Sequence, residues 1–505
     1  MTDSPFSWNV PLASRLFWRS LLLIALLGLG LRLLPLRESL WLDELHTAWV
    51  IDGDVSEIPR RAIEGNNGPL FFWLERLVVE LFGASEWTLR MPSVVCGVTT
   101  LVLIGVLVRR WSGSGLAGIT AALLVAVDRD MVFYATEARS YAAAQLGCLL
   151  LFALTMRLWR DFDRRTAVLW TLTAALTIHL HLTAALLVAA CLPPLLLAAW
   201  GHRAWGRLAL MLAGLGVGLL PLYPQLALVY SRRLNWTQFI HAGSSFRIIE
   251  ILPIIPFGLA PLAIALVGNK LLPGRQADER QRNWTAHYVW TIFATLAPIA
   301  VAWYVTYLEI TPLFLRRYLI GSQAMLFVWA GLNVARIEFR GLRILVAVTM
   351  ASSIFFFHLP DHWTHQRRQD WRGAIATIDQ LELPPEATLM VSSGLIESNE
   401  LVANDDALAD FCRLPVAALY RPQTPFPQVI PLRNGDPELL QPWQADMVTE
   451  PQTIVVMEPG DPAFAAELAV KAAQSLPWAS TTRILPGHRG MRVVLVTPAE
   501  ESASD

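Results

Sequence analysis

The chain has 505 residues, of which 54% are hydrophobic and 16% charged, with a formal net charge of −1 and a mean hydropathy of +0.44. So apolar a composition excludes an ordinary soluble globular protein and marks a polytopic membrane protein. The near-neutral balance leaves no basic surplus, which argues against nucleic acid as a partner, and Cys96, Cys148, Cys191 and Cys412 are spaced for neither a disulfide framework nor a metal site.

The first apolar run, Leu21 to Pro35, carries Arg32 and no small-residue cleavage site, so it reads as a retained membrane helix rather than a signal peptide. Directly after it comes Leu40-Trp-Leu-Asp43-Glu44-Leu45. Two adjacent carboxylates that follow a span belong at the water–lipid boundary, where a carboxylate stays ionised and still meets a substrate whose body is in lipid. The loop 37–86 then holds two further stretches, Asp54 to Glu64 and Pro69 to Phe82. The second sets Phe71, Phe72, Leu74, Leu77, Val78 and Leu81 at helical spacing beside Glu75, Arg76 and Glu80, the pattern of an amphipathic helix lying in the interface. It opens with Gly65-Asn66-Asn67-Gly68-Pro69-Leu70, where Pro69 suits a helix start and Asn66 or Asn67 could cap it.

A bilayer core of about 30 Å takes roughly 20 apolar residues per helix. Eleven stretches are candidates: 15–36, 87–108, 115–134, 139–158, 166–179, 181–200, 207–228, 248–268, 286–307, 318–335 and 342–358. The continuous run 166–200 is divided at His179 and His181 because loop charges then fall into order. Arg109-Arg110, Arg157 to Arg165, Arg203 and Arg207, Lys270 to Arg282, and Arg336 to Arg343 all land on one side, the cytoplasm by the positive-inside rule. Asp43-Glu44 faces the other way. The two histidines read first as hinge residues bonded to a neighbouring helix, and as ligands second.

Three more charged constellations share the outer side. Trp87-Thr-Leu-Arg90-Met-Pro-Ser93 stands at the mouth of the second span, where Arg90 could snorkel to headgroups or serve a ligand. Glu137-Ala-Arg139-Ser-Tyr141, preceded by Asp128-Arg129-Asp130, lies on a short turn; Glu137 and Arg139 could pair with each other, yet Arg suits bidentate phosphate binding. Thr311-Pro-Leu-Phe-Leu-Arg316-Arg317-Tyr318 puts a basic pair where the orientation rule expects few, as charges that serve a ligand do. After Phe357 the composition turns polar, with Asp361, Arg367, Arg368 and Asp370, which marks an outward-facing soluble domain over 359–505. Within it Trp371 to Leu381 and Pro462 to Gln474 read as helices, and Ala387 to Val391, Thr453 to Met457 and Arg492 to Thr497 as strands. The fold class is thus mainly α: about eleven transmembrane helices in residues 1–358, a long first loop with interfacial helices, and a small C-terminal α/β domain ending in a polar tail, Glu500 to Asp505.

Taken in order, Trp-Leu-Asp43-Glu44, Gly-Pro69-Leu-Phe-Phe-Trp, Leu-Arg90-Met-Pro-Ser93, Glu137-Ala-Arg139-Ser-Tyr141 and Phe314-Leu-Arg-Arg317-Tyr318 resemble the GT-C glycosyltransferases of the protein O-mannosyltransferase and aminoarabinose-transferase type. The resemblance covers roughly residues 13–358. It implies a multi-pass inner or plasma membrane enzyme, a hexosyl- or pentosyltransferase, that moves one sugar with inversion from a polyprenyl-phosphate donor to a hydroxyl of a lipid, glycan or protein acceptor at the outer face. It makes Asp43 the general base with Glu44 beside it, and Arg139, Arg317, Arg90 and Arg316 the donor-phosphate contacts. Glu137, Tyr141, Asn67, Pro69, His181 and Tyr318 are the matching candidates for the substrate pocket. Family members commonly carry a His-Pro-Pro or Lys-Pro-Pro type sequence where this chain has Asn67-Gly68-Pro69, so the basic contact expected there is absent. Relatives of this subtype mostly work without a metal, while oligosaccharide-transferring cousins use a divalent cation near similar acids, so Mg or Mn stays an open requirement. Two other classes compete. A transporter or flippase of a lipid-linked substrate would place its charges near the midplane and show related halves, whereas here the charges gather at one interface. A non-catalytic anchor would need neither the acidic pair nor the interfacial arginines.

Overall fold

The computed structural model describes residues 15–233, 240–272, 284–358, 369–392, 406–432 except 424, and 446–499 except 487. Arg275 to Arg282, Asp361, Arg367, Arg368 and the tail Glu500 to Asp505 lie outside the described residues. The chain divides into two compact units, residues 1–36, 66–83 and 87–364, and residues 37–65, 84–86 and 365–505. The stretch 37–65, read from sequence with the membrane helices, is therefore built together with the C-terminal region.

In the first unit each of the eleven expected stretches contains helix. Among the described residues, however, six runs are long and apolar enough to cross a membrane: 15–37, 86–112, 141–160, 182–201, 205–231 and 285–307. The count of eleven is not reached, for local reasons. Asp128 ends the helix Gly115–Val127 and caps the next, Arg129–Tyr134, by accepting the Met131 N–H. The expected span 248–268 is broken by Pro253 and Pro256 and is wound as a π-turn over Ile255–Leu259, whose Phe257 and Gly258 carbonyls accept from Asn333 Nδ2 at 3.3 and 2.8 Å. The helix Ile320–Arg336 is short at 17 residues but buried from Ile320 to Ala335. A helix apolar on every side is a core helix, and this one forms the centre of the bundle. The division of 166–200 is as read: the helix Arg164–Leu180 ends at His181, which is extended at φ −156° and ψ 117°, and the chain resumes in a short turn, Leu182–Ala184.

The helix Glu86–Ser112 runs from Arg90 to Arg109-Arg110, and Tyr141–Arg160 returns from Tyr141 to Arg157 and Arg160, so Arg90 and Tyr141 share one end of the unit, about 30 Å from the other. At the basic end Trp111 meets the His287 ring at 5.0 Å, Trp159 meets Trp290 at 5.6 Å, His202 Nε2 is 3.3 Å from the Trp159 carbonyl, and Arg207 donates to the Phe162 carbonyl. The loops that carry Arg109-Arg110, Arg157 to Arg165, and Arg203 and Arg207 gather there. The helix Leu70–Phe82 forms where expected: it buries Phe71, Phe72 and the Glu75 carboxylate, and exposes Trp73, Leu74, Leu77, Leu81 and Phe82. Its apolar stripe therefore faces outward, as a surface in contact with lipid requires.

The second unit holds a five-stranded sheet, β1 (Thr388–Ser392), β2 (Gln428–Leu432), β3 (Ile454–Pro459), β4 (Ser480–Ile484) and β5 (Met491–Pro498), in the order β2-β1-β3-β5-β4. β1 runs parallel to β2 and β3, while β5 runs antiparallel to β3 and β4. β1, β3 and β5 are the strands legible in the sequence. β2 contains Pro431 and β4 is an exposed edge, Ser-Thr-Thr-Arg-Ile, so neither presents an alternating apolar pattern. The helix Ala465–Gln474 closes one face, packing Leu468, Ala469 and Ala472 on Met390, Ile454, Val456, Val494 and Val496.

Candidate active site

In the first unit the chain folds back after Tyr134, and the turn Ala135 to Ser140 is buried throughout. Glu137 is fully buried and Arg139 is 7% exposed. The turn is held by Ser93, whose Oγ donates to the Arg139 carbonyl at 2.9 Å, so the Arg90-Met-Pro-Ser93 and Glu137-Ala-Arg139 motifs are joined. A buried guanidinium costs several kcal/mol unless it is compensated. Such charges in a membrane protein mark function by default.

The turn brings Tyr141 against the His181 ring at 5.3 Å, and His181 against the Tyr318 ring at 6.1 Å, with the Arg317 guanidinium 5.7 Å from the Tyr318 ring. Three segments distant in sequence therefore meet on His181. Thr183 Oγ1 lies 2.8 Å from His181 Nδ1 and fixes the ring. The Asn67-Gly68-Pro69 segment lies two residues away along the 179–181 turn: a Cβ on Gly68 would stand 2.6 Å from the His179 carbonyl, and Gln225 Nε2 donates to the Asn66 carbonyl at 3.0 Å. Asn66 takes the left-handed φ of 60°, a conformation Asn tolerates. Asn67 is held half-buried between these two clamps, and Pro69 immediately precedes the helix Leu70–Phe82.

Two of the four candidate arginines bond to backbone carbonyls. Arg316 pairs with Asp130 Oδ2 at 2.8 Å and donates through Nε to the Ile251 carbonyl at 2.8 Å. Arg90 is fully buried and its Nη1 donates to the Leu36 and Pro35 carbonyls at 2.9 and 3.4 Å, closing the end of the first helix. Arg90→Ala is expected to destabilise the protein by about 1.5–3 kcal/mol, the range for hydrogen bonds to charged groups. Melting temperature and donor KM of the purified protein check this; a raised KM with an unchanged melting temperature would return Arg90 to the ligand.

In the second unit Asp43 and Glu44 open the helix Leu42–Asp52. Glu44 is fully buried and turns back on its own helix start, its Oε2 accepting the Trp41 N–H at 3.4 Å. That is the reciprocal half of a capping box. Asp43 is half-buried, and it also sits in the first helical turn, where the backbone N–H groups favour an anion. The helix packs His46 and Trp49 on Phe411 at 6.3 and 5.6 Å, while Arg61 stacks over Trp49 at 5.0 Å and donates to its carbonyl at 2.8 Å.

Sequence reading missed Asp130 and Ile251 as the partners of Arg316, and a buried polar chain behind the tyrosines: Gln145 Nε2 donates to Gln323 Oε1 at 3.1 Å, and Gln323 Nε2 to Asp128 Oδ1 at 3.4 Å. Two glutamines on apolar helices were the available signal. Among the described residues, no group of three or more His, Cys, Asp or Glu side chains is arranged to hold a metal ion.

The family model of dolichyl-phosphate-mannose-protein mannosyltransferase matches residues 66–228. No curated protein sequence matches the chain. Among solved structures, ArnT from Cupriavidus metallidurans in the apo state is similar with a TM-score of 0.55 at 17% identity, covering 95% of this chain and 97% of that one. The same protein bound to undecaprenyl phosphate gives 0.52 at 16% identity, covering 96% and 98%. The chain is an integral membrane protein that is ArnT-like in fold and matches the mannosyltransferase family model over residues 66–228.

Proposed function

We propose that this protein transfers a single sugar from a polyprenyl-phosphate donor to an acceptor hydroxyl at the outer face of the membrane, with inversion at the anomeric carbon. The observation that carries the reading is the packing of His181 between Tyr141 and Tyr318, with Arg317 beside the Tyr318 ring and the buried Arg139 two residues before Tyr141. Arginines beside a histidine and two aromatic rings suit a phosphate attached to a sugar. ArnT in a complex with undecaprenyl phosphate supports the same class of carrier.

In this reading Asp43 accepts the proton of the acceptor hydroxyl as its oxygen bonds to the anomeric carbon. The bond from that carbon to the phosphate oxygen breaks, and the lipid phosphate departs with the electron pair. It carries charge already, so Arg139 and Arg317 stabilise it without supplying a proton. Glu44 keeps its capping role and Arg316 and Arg90 their backbone roles, which reduces the cradle to two arginines. The basic end of the helical unit is the cytoplasmic one. The test is incubation of the purified protein with a panel of radiolabelled polyprenyl-phosphate sugars. Consumption of one donor with release of the polyprenyl phosphate is expected; if every donor is left intact in the presence of lipid, glycan and peptide acceptors, the reading is wrong.

A further inference from the structure

We propose that the C-terminal region is a positioning element for Asp43, acting through a polar latch made by Arg372, Tyr420 and Glu86; the proposal rests on the reading of Asp43 as the base. All of these residues lie in the second unit. The Leu40 N–H donates to Tyr420 Oη at 2.7 Å, and the Tyr420 hydroxyl donates onward to Glu86 Oε1 at 3.2 Å. The Arg372 guanidinium pairs with the same Glu86 oxygen and donates to the Arg37 carbonyl at 3.0 Å. Between these two points Ser39 Oγ donates to Asp370 Oδ1 at 3.4 Å and accepts the Arg372 N–H at 3.2 Å. Arg37, Ser39 and Leu40, three of the six residues that lead into Asp43, are thus gripped in turn.

Physical chemistry explains why such a grip aims rather than merely fastens. Ser39 and Leu40 are buried, at 5% and 1% exposure, so their polar groups must find partners within the protein. The partners come from 370–372 and 420, and each is directional, whereas an apolar contact would tolerate sliding. Past Asp43 the same region holds the helix again through Phe411 against His46 and Trp49. The start of the helix that carries Asp43 is therefore fixed on both sides by C-terminal residues. Asp370-Trp371-Arg372 gains a role by the same contacts, since Asp370 caps its own helix through the Gly373 N–H at 3.0 Å while it takes Ser39.

The experiment uses the full-length protein reconstituted in lipid with its donor. Tyr420→Phe, Arg372→Glu, Glu86→Arg and the Arg372→Glu/Glu86→Arg pair are compared alone and in an Asp43→Asn background. A misaimed base is expected to lower kcat on the order of 10- to 100-fold, with donor KM within about twofold, and the charge-swapped pair is expected to recover most of the rate. In the Asp43→Asn background the latch variants should cost nothing more, because no base is left to aim. Losses that add in that background, or that track a fallen melting temperature with KM rising in step, overturn the latch and leave the base assignment standing. An Asp43→Asn protein as fast as wild type removes the base assignment, and the latch with it, before any latch variant is compared.

Discussion

Asp43→Asn is expected to lower the rate of sugar transfer on the order of 100- to 10,000-fold, the range for loss of a positioned general base. An acceptor hydroxyl near neutral pH is a poor nucleophile, and Asn keeps the size and hydrogen-bonding shape of Asp while losing the proton acceptor. Donor KM should change little, because the proposed phosphate contacts are Arg139 and Arg317. Glu44→Gln gives the contrast: Glu44 is buried and its carboxylate caps the helix at Trp41, so its loss should appear as about 1 kcal/mol of stability with a much smaller change in rate. Initial rates on a radiolabelled donor, with melting curves, separate the two. Equal losses of rate from Asp43→Asn and Glu44→Gln would mean that the carboxylates act as a pair and that the division of roles is wrong.

Arg317→Ala and Arg139→Ala should each cost on the order of 100- to 1,000-fold in kcat/KM, the scale for removing one preorganised donor from a developing anion. Lys at either position should restore only part of this, since an ammonium is a point charge without the planar fork of a guanidinium. The neighbouring Arg316→Ala tests the assignment directly. Its guanidinium is taken by Asp130 and the Ile251 carbonyl, and it is 44% exposed, so an effect below about tenfold is expected. If Arg316→Ala proves more damaging than Arg317→Ala, the cradle has been assigned to the wrong member of the pair.

Much of this protein is legible in its residue order. Apolar runs report their burial in lipid by length alone, so the helical stretches, the break at His181 and the gathering of arginine loops at one end follow from that order. The strands β1, β3 and β5 are apolar enough to announce themselves, whereas β4 is an edge of Ser, Thr and Arg whose strand character comes from its pairing with β5. The site is legible as motifs but not as roles. Arg90, Arg139, Arg316 and Arg317 look alike in sequence; what marks out Arg90 and Arg316 is that their guanidiniums find backbone carbonyls or an aspartate far along the chain.

Residue order by itself settled that this is a membrane protein rich in helices, and that an acidic pair and three arginine-bearing motifs lie among them, because hydropathy, proline and capping act over a few residues. Only the tertiary structure decided that Glu44 caps its own helix, that the Arg139 turn is buried and tied to Ser93, that Tyr141 and Tyr318 flank His181, and that the approach to Asp43 is gripped by Tyr420 and Arg372. The reason is the range of the interactions. A buried polar group must be satisfied by whatever the fold brings within hydrogen-bond distance, and here those partners come from up to 380 residues away.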